Sequence, residues 1–359
     1  MAKIETEHVV VYRKEDCFCA WPFNGGFWQF SDGALAVGFI RGGCDYSRSE
    51  SLKHSVVDNM HGQQLILRST DGGLTWPEDG LSVVYRRPEF DRKTMAAPIA
   101  DRPHSASFDP KADGFCLLSG FGLPPEEDRT TQFVLISADR GVTWSDPVRI
   151  PRYDFVSLGG RPSYVLRKDG LLMLFGHGSR DGISSAAMVH GSTDGGASWG
   201  LIGEIEMATR YPRPIMPYPL ILADERILVV VRRQYSTQDA HSEVYVSEDG
   251  GLSWRFLSRV NEWGAPASLT QLADNRLVCV YGYRRPPWGI RARISENGGA
   301  SWGEEIILRD NGGSWDLGYP RTLLRSDGRL ITVYYFNGKD DPIQQDGGVR
   351  YIAATIWKP

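Results

Sequence analysis

No stretch of this chain is apolar for long enough to cross a bilayer, which takes about 20 residues of helix. The longest candidates, Ile227 to Val231 and Leu171 to Phe175, are a quarter of that, so no membrane partner is expected. The start, MAKIETEHVV, carries charges where a secretion signal needs an apolar core, and a cytoplasmic protein is expected. Cysteine is scarce. Cys17, Cys19, Cys44, Cys116 and Cys279 form an odd set without the paired spacing of metal ligands, so reduced thiols are expected. Cys17 and Cys19, two apart, would share one face of a strand and pack in a core. His54 and His61 fit no metal-ligand spacing either, and neither metal nor cofactor is expected. Charge of one sign is missing as well: the formal net charge of -4 is spread evenly, without a basic face for nucleic acid or an acidic tail. Long helical patterns are absent, and nothing in the pattern specifies an oligomeric state.

Glycine (40) and proline (21) are plentiful among the 359 residues, which favours many short strands joined by tight turns. One octet occurs five times: STDGGLTW from Ser69, SADRGVTW from Ser137, STDGGASW from Ser192, SEDGGLSW from Ser247 and SENGGASW from Ser295. Its Asp or Asn can accept backbone N–H bonds, its fifth residue is always glycine, suited to a turn of positive φ, and its tryptophan can be buried beneath. Ahead of the octets runs a second repeat, an apolar strand, a turn on Asp and another apolar strand. Its turns carry Asp32, Asp113, Asp169, Asp224, Asp274 and Asp327. The 23 residues from Asp169 to Ser192, and again from Asp224 to Ser247, leave room for one more strand and a loop. Six hairpins therefore predict an all-β, six-bladed β-propeller of four-stranded antiparallel blades. The sixth blade has no octet. RYIAATIW reads as its third strand and HVVVYR, from His8, as its fourth, so that the N-terminal strand closes the ring and residues 1–359 make one domain.

In such a meander the repeats all fall at one end of the blades, and the loops of variable length fall at the other, where function usually resides. That end comprises the starts of the innermost strands, near Trp21, His104, Arg161, Arg213, Pro266 and Tyr319, and the loops after each second strand. The longest loop is in blade one, where 37 residues separate Asp32 from Ser69 and include Arg41, Asp45, Arg48, His54, Asp58 and His61. Other loops bring Glu126, Glu127 and Asp128, then His177 and Arg180, then Arg232 and Arg233, and finally Arg284 and Arg285. Several arginines in a concave site suit a planar carboxylate, which the guanidinium fork can grip with two parallel bonds, and an acidic sugar fits that description. The competing use of each arginine is to cross-link blades or to extend into solvent.

The octet resembles the Asp-box, or bacterial neuraminidase repeat, and the order of blades and octets along the whole chain resembles the sialidase (neuraminidase) superfamily. That resemblance implies an arginine triad for the substrate carboxylate, an Asp acid/base and a Tyr nucleophile activated by a Glu. Tyr319, in GYPRTLLRSDGRLITVYY, stands at the start of the innermost strand of blade six, where the family has its nucleophile. Arg232 or Arg233 matches the second family arginine and Arg284 or Arg285 the third. Asp58, ahead of QQLILRS, matches the acid/base, with Asp45 as its rival. Two positions depart: blade one offers CFCAWPFNGG, with Trp21, in place of the first arginine, and blade four offers RYPRPIMPYPLIL, with Arg213 but no Glu.

The residues thus point to an exo-acting glycoside hydrolase removing a terminal acidic, sialic-acid-like sugar from an oligosaccharide or glycoconjugate, with Tyr319 and Asp58 at its centre. One alternative is a polysaccharide lyase or other glycosidase that uses His104, suited to proton transfer near neutral pH, together with Tyr319. Another is a non-catalytic glycan-binding propeller with Trp21, Trp288 and Trp315 as stacking platforms.

Overall fold

The computed structural model describes residues 4–48, 62–86, 108–122, 131–343 and 347–359. The chain opens with β1 (Thr6–Tyr12), β2 (Cys17–Ala20), a one-turn helix α1 (Pro22–Gly25), β3 (Phe27–Gln29), β4 (Leu35–Gly43), β5 (Gln63–Ser69) and β6 (Ser82–Arg86). Next come β7 (Cys116–Gly122), β8 (Thr131–Ser137), β9 (Val148–Arg149), β10 (Ser157–Leu166), β11 (Leu172–Ser179), β12 (Ser185–Ser192) and β13 (Gly200–Ala208). They are followed by β14 (Arg213–Ile221), β15 (Ile227–Gln234), β16 (Ala240–Ser247) and β17 (Arg255–Arg259). The last strands are β18 (Ala267–Gln271), β19 (Leu277–Tyr283), β20 (Gly289–Ser295), β21 (Ile306–Arg309), β22 (Gly318–Leu324), β23 (Leu330–Phe336) and β24 (Tyr351–Trp357). They form six antiparallel sheets, the blades of a six-bladed β-propeller, as the hairpins predict. Among the described residues no helix is long and apolar enough to cross a membrane, which says nothing of strands.

Two compact units make up the chain. The first, Met1–Pro88 with Val260–Pro359, holds blades one, five and six. In blade six β1 pairs with β24 from Thr6↔Trp357 to Tyr12↔Ile352, so the N-terminal strand is the fourth strand of the last blade. Blade one departs from a plain meander, because its innermost strand is split: β2 and β3 both pair with β4, and α1 interrupts them. Trp21 causes the break, taking a left-handed φ of 62° ahead of Pro22, whose fixed φ suits the first helical position. The second unit, Glu89–Arg259, holds β7 to β9 of blade two and the complete blades three and four.

The octets are built as their sequence implies. In the first, Asp71 Oδ1 accepts from the backbone N–H of Leu74 and Thr75, both at 3.0 Å, while Oδ2 accepts from the Thr75 hydroxyl at 2.6 Å. Trp76 Nε1 donates to the Gly73 carbonyl at 3.1 Å, and Trp144, Trp199 and Trp254 repeat the bond in their own octets. The fifth glycine has two reasons to be invariant. Gly73 lies at φ 91°, and a Cβ there would come within 2.2 Å of Ile331 in the adjacent blade six. Gly251 repeats this against Met173, at 2.4 Å. Arginines from the hairpin turns reach the same octets: Arg325 donates to the Gly72 carbonyl at 2.6 Å and Arg167 to the Gly250 carbonyl at 2.8 Å. These two turns are therefore each pinned to the next blade.

Between blades lie apolar layers. Val278, Val280, Leu330 and Tyr334 belong to the layer of blades five and six, and Met173, Phe175, Val229 and Val231 to that of blades three and four. Burying each such side chain stabilises the fold by about 1.5–3 kcal/mol. The β-branched runs of β15 and β23, apolar on both faces, are what a strand between two layers requires.

Candidate active site

In the unit that holds both chain ends, Tyr319 follows Gly318 at the start of β22. A Cβ on Gly318 would fall 2.8 Å from the Gly282 Cα, so two glycines let blades five and six meet backbone to backbone. The pairing with β23 slips between Gly318 and Arg321, and within that bulge Tyr319 takes a φ of 54°. A left-handed non-glycine residue costs roughly 1–3 kcal/mol, and bulges commonly re-aim a side chain towards a site. Met216 (φ 52°) occupies the corresponding slip in β14.

The Tyr319 ring is buried against Phe23, with centroids 6.3 Å apart, and Tyr335, at 5.8 Å. The Arg284 guanidinium lies 5.2 Å from the Tyr319 ring centroid and 5.4 Å from that of Trp315, and its side chain is hydrogen-bonded to that of Tyr319. Arg284 also donates to the Leu317 carbonyl through Nε (3.2 Å) and Nη2 (3.1 Å), and to the Tyr335 hydroxyl at 3.1 Å. Tyr335 in turn donates to Asp316 Oδ1 at 2.5 Å, and Asp316 Oδ2 meets Arg350 Nε at 3.4 Å. Burial, then the Asp316 charge, push Tyr335 well above the usual phenol range, so it remains a donor.

Trp21 lies beside this network, its ring 6.3 Å from that of Tyr335. The other predicted residues of this unit are further removed in role. Arg285 stacks on Trp263 at 3.9 Å, and Trp288 packs against the core of blades five and six. Asp45 accepts from the Ser47 N–H (3.0 Å) and hydroxyl (2.6 Å), which hold its carboxyl below the usual range. A carboxyl so held stays ionised near neutral pH and has no proton to donate there.

In the second unit a pocket of about 340 Å³ opens between blades three and four, lined by Arg161, His177, Arg213, Ser157, Ser185 and Gln234, among others. The Arg213 guanidinium lies on the Tyr211 ring at 4.9 Å and makes no hydrogen bond or ion pair among the described residues. Arg161 donates to the Gly160 carbonyl at 2.8 Å. His177 is held neutral: burial, then Arg161 and Arg232, push its pKa down to about 3. Arg232 points away into packing, donating to the Thr237 carbonyl at 3.0 Å beside Met216. Arg233 bridges Glu206 at 3.3 Å and Glu243 at 3.4 Å, and Glu243 also receives Tyr245 and contacts His241, both at 2.9 Å. Arg180 is tied to Asp154 and Glu204 at the surface.

Asp58 and His104 lie outside the described residues, as do His54, His61, Arg102, Glu126, Glu127 and Asp128. Among the described residues no group of three or more His, Cys, Asp or Glu side chains could hold a metal ion. All five cysteines are free, and burial pushes the thiols of Cys17 and Cys44 up to about 11. Sequence reading left out Asp316, Tyr335 and Arg350. Asp316 stands three residues before Tyr319, in the stretch GSWDLGYPR, and that proximity was its available signal.

The profile of the BNR repeat-like domain matches residues 111–332, more than half of the chain. The chain belongs to this family. No curated protein matches this BNR repeat-like chain in sequence. Among solved structures it is similar to a protein of unknown function from Dyadobacter fermentans, at 23% identity and a TM-score of 0.76 over 98% of both chains. It is also similar to Trypanosoma rangeli sialidase in complex with sialic acid, at 15% identity and a TM-score of 0.59 over 99% of this chain and 59% of that one. A Penicillium chrysogenum α-L-arabinanase complexed with arabinobiose resembles it at 15% identity and a TM-score of 0.58 over 97% of both chains. The chain spans about three fifths of the length of the Trypanosoma enzyme, and these likenesses show a glycoside-hydrolase-like fold held by a divergent sequence.

Proposed function

We propose that this BNR repeat-like protein is an exo-acting glycoside hydrolase that releases a terminal acidic sugar of the sialic-acid kind from a glycan. The observation that carries the reading is Tyr319, set in a left-handed bulge with the Arg284 guanidinium across its ring. In the proposed reaction Tyr319 gives its phenolic proton to water, its oxygen attacks the anomeric carbon as the glycosidic bond breaks, and a carboxylic acid protonates the departing oxygen. Asp58 is assigned that proton. Water then attacks the anomeric carbon of the tyrosyl glycoside, Asp58 takes that water's proton, and the departing Tyr319 phenolate takes a proton back from solvent water to restore the phenol. Arg161 and Arg213 are assigned an acidic group of the glycan, because Arg213 lacks a carboxylate partner of its own among the described residues and His177 beside it adds no charge.

The test is a panel of 4-methylumbelliferyl glycosides that includes N-acetylneuraminic acid and eight- and nine-carbon keto acids. We expect one acidic member to be turned over, and Tyr319→Phe to lower kcat/KM for it by about 10³-fold or more. Turnover unchanged in Tyr319→Phe would remove that residue from the reaction. An unsaturated product absorbing in the ultraviolet would show a lyase instead.

A further inference from the structure

We propose that Asp316 and Tyr335 are positioning residues that fix the Arg284 guanidinium against the Tyr319 hydroxyl. The inference rests on the reading of Tyr319 as nucleophile and assigns the residues that prepare it. A phenol has one proton to give and lone pairs to receive with. The Tyr335 proton goes to Asp316 at 2.5 Å, so towards Arg284 at 3.1 Å the same oxygen can only accept. Arg284 is thereby tied at the Leu317 carbonyl by two nitrogens and at Tyr335 by one. A planar fork fixed along one edge cannot turn. The same side chain is also hydrogen-bonded to that of Tyr319.

Asp316 is itself held from several sides. Arg350 approaches Oδ2 at 3.4 Å, and Asn337 donates to the Asp316 carbonyl at 2.7 Å while accepting from the Ser314 N–H at 2.7 Å. Arg350 is anchored in turn to the Gly348 carbonyl at 2.6 Å. Tyr335 stands on the central strand β23, its backbone paired with Gly318, the residue before Tyr319. The chain Asp316, Tyr335, Arg284, Tyr319 therefore runs from a buried carboxylate, 2% exposed, to the bulge that presents the phenol.

The experiment has two arms. Tyr335→Phe keeps the ring contacts and removes the hydroxyl, and Asp316→Asn keeps the shape and removes the charge. With 4-methylumbelliferyl N-acetylneuraminic acid, or whichever acidic glycoside of the panel is turned over, each should lower kcat about 10- to 100-fold with KM within about twofold. In an Arg284→Lys background, Tyr335→Phe should cost less than about threefold more, because the hydroxyl acts through the arginine. An unchanged kcat, or full additivity with Arg284→Lys, overturns the proposal. The second arm needs no substrate. With [¹⁵N]arginine, the Arg284 guanidinium signal, assigned by its loss in Arg284→Lys, should exchange its protons at least about tenfold faster in either variant. Exchange as slow as in the wild type overturns the positioning role even if no glycoside is turned over. Faster exchange with no glycoside turned over by any form sinks the hydrolase reading and leaves the arginine clamp standing.

Discussion

Burial and company sort the arginines. Arg232 and Arg233 are the two candidates for one expected substrate-binding position, yet the first is bonded to the Thr237 carbonyl and the second lies between Glu206 and Glu243. Arg213 keeps company with the Tyr211 ring alone among the described residues, so its donors are available to the pocket. Arg213→Ala should therefore raise KM for an acidic glycoside by about 10- to 100-fold with a small change in kcat, the signature of lost uniform binding. Arg233→Ala should act on stability instead, lowering the melting temperature by leaving Glu243 and Glu206 half-buried without their cation. Steady-state kinetics beside thermal melts checks both. At this scale the sequence disclosed residue types and their places on strands, which brought Tyr319, Arg284, Arg161 and Arg213 into view. Asp316 escaped because only tertiary packing turns an apparent loop carboxylate into one held by Tyr335 and Arg350.

The octets were legible for the opposite reason, since each closes almost entirely on itself through bonds spanning two to four residues. Although partial burial opposes its charge, bonds from Thr75, Ser69 and Leu74 lower the Asp71 pKa to about 2. The unfolded value is about 3.9, so the native turn binds fewer protons than the open chain between the two, and its stabilisation is full above about pH 4 and lost on the way down to about pH 2. Asp71→Asn should keep the turn, as Asn297 does in the fifth octet, where it accepts from the Ser301 N–H at 2.9 Å. Melting temperatures from pH 5 to pH 2 should then fall less steeply in the variant than in the wild type. Gly73→Ala, in contrast, forces a Cβ against Ile331 at positive φ and should destabilise by about 1–3 kcal/mol in a denaturant titration. The split innermost strand of blade one was not legible, because CFCAWPFNGG continues an apolar pattern while one dihedral at Trp21 breaks it.

For the whole molecule, the blade count and the closing strand followed from the hairpin repeat, whereas the division into two compact units leaves no mark in composition. Acid should weaken the fold in two steps. Before the octet carboxylates protonate, His190, fully buried beside Tyr153, resists its charge, and burial pushes its pKa down to about 4. The unfolded chain takes up that proton near pH 6.5 and the native one does not, so stability falls as pH drops from about 6.5 to about 4. Melting temperature measured across that window should fall less steeply in His190→Gln, the remainder of the slope coming from other buried histidines such as His177. The pairing of β1 with β24 bears on biosynthesis. His8 meets Thr355 across 347 residues of chain, and Tyr351–Trp357 are made long after Thr6–Tyr12. A nascent chain halted before Tyr351 thus carries β1 as an open edge, and blade six can be finished only once β24 has been made.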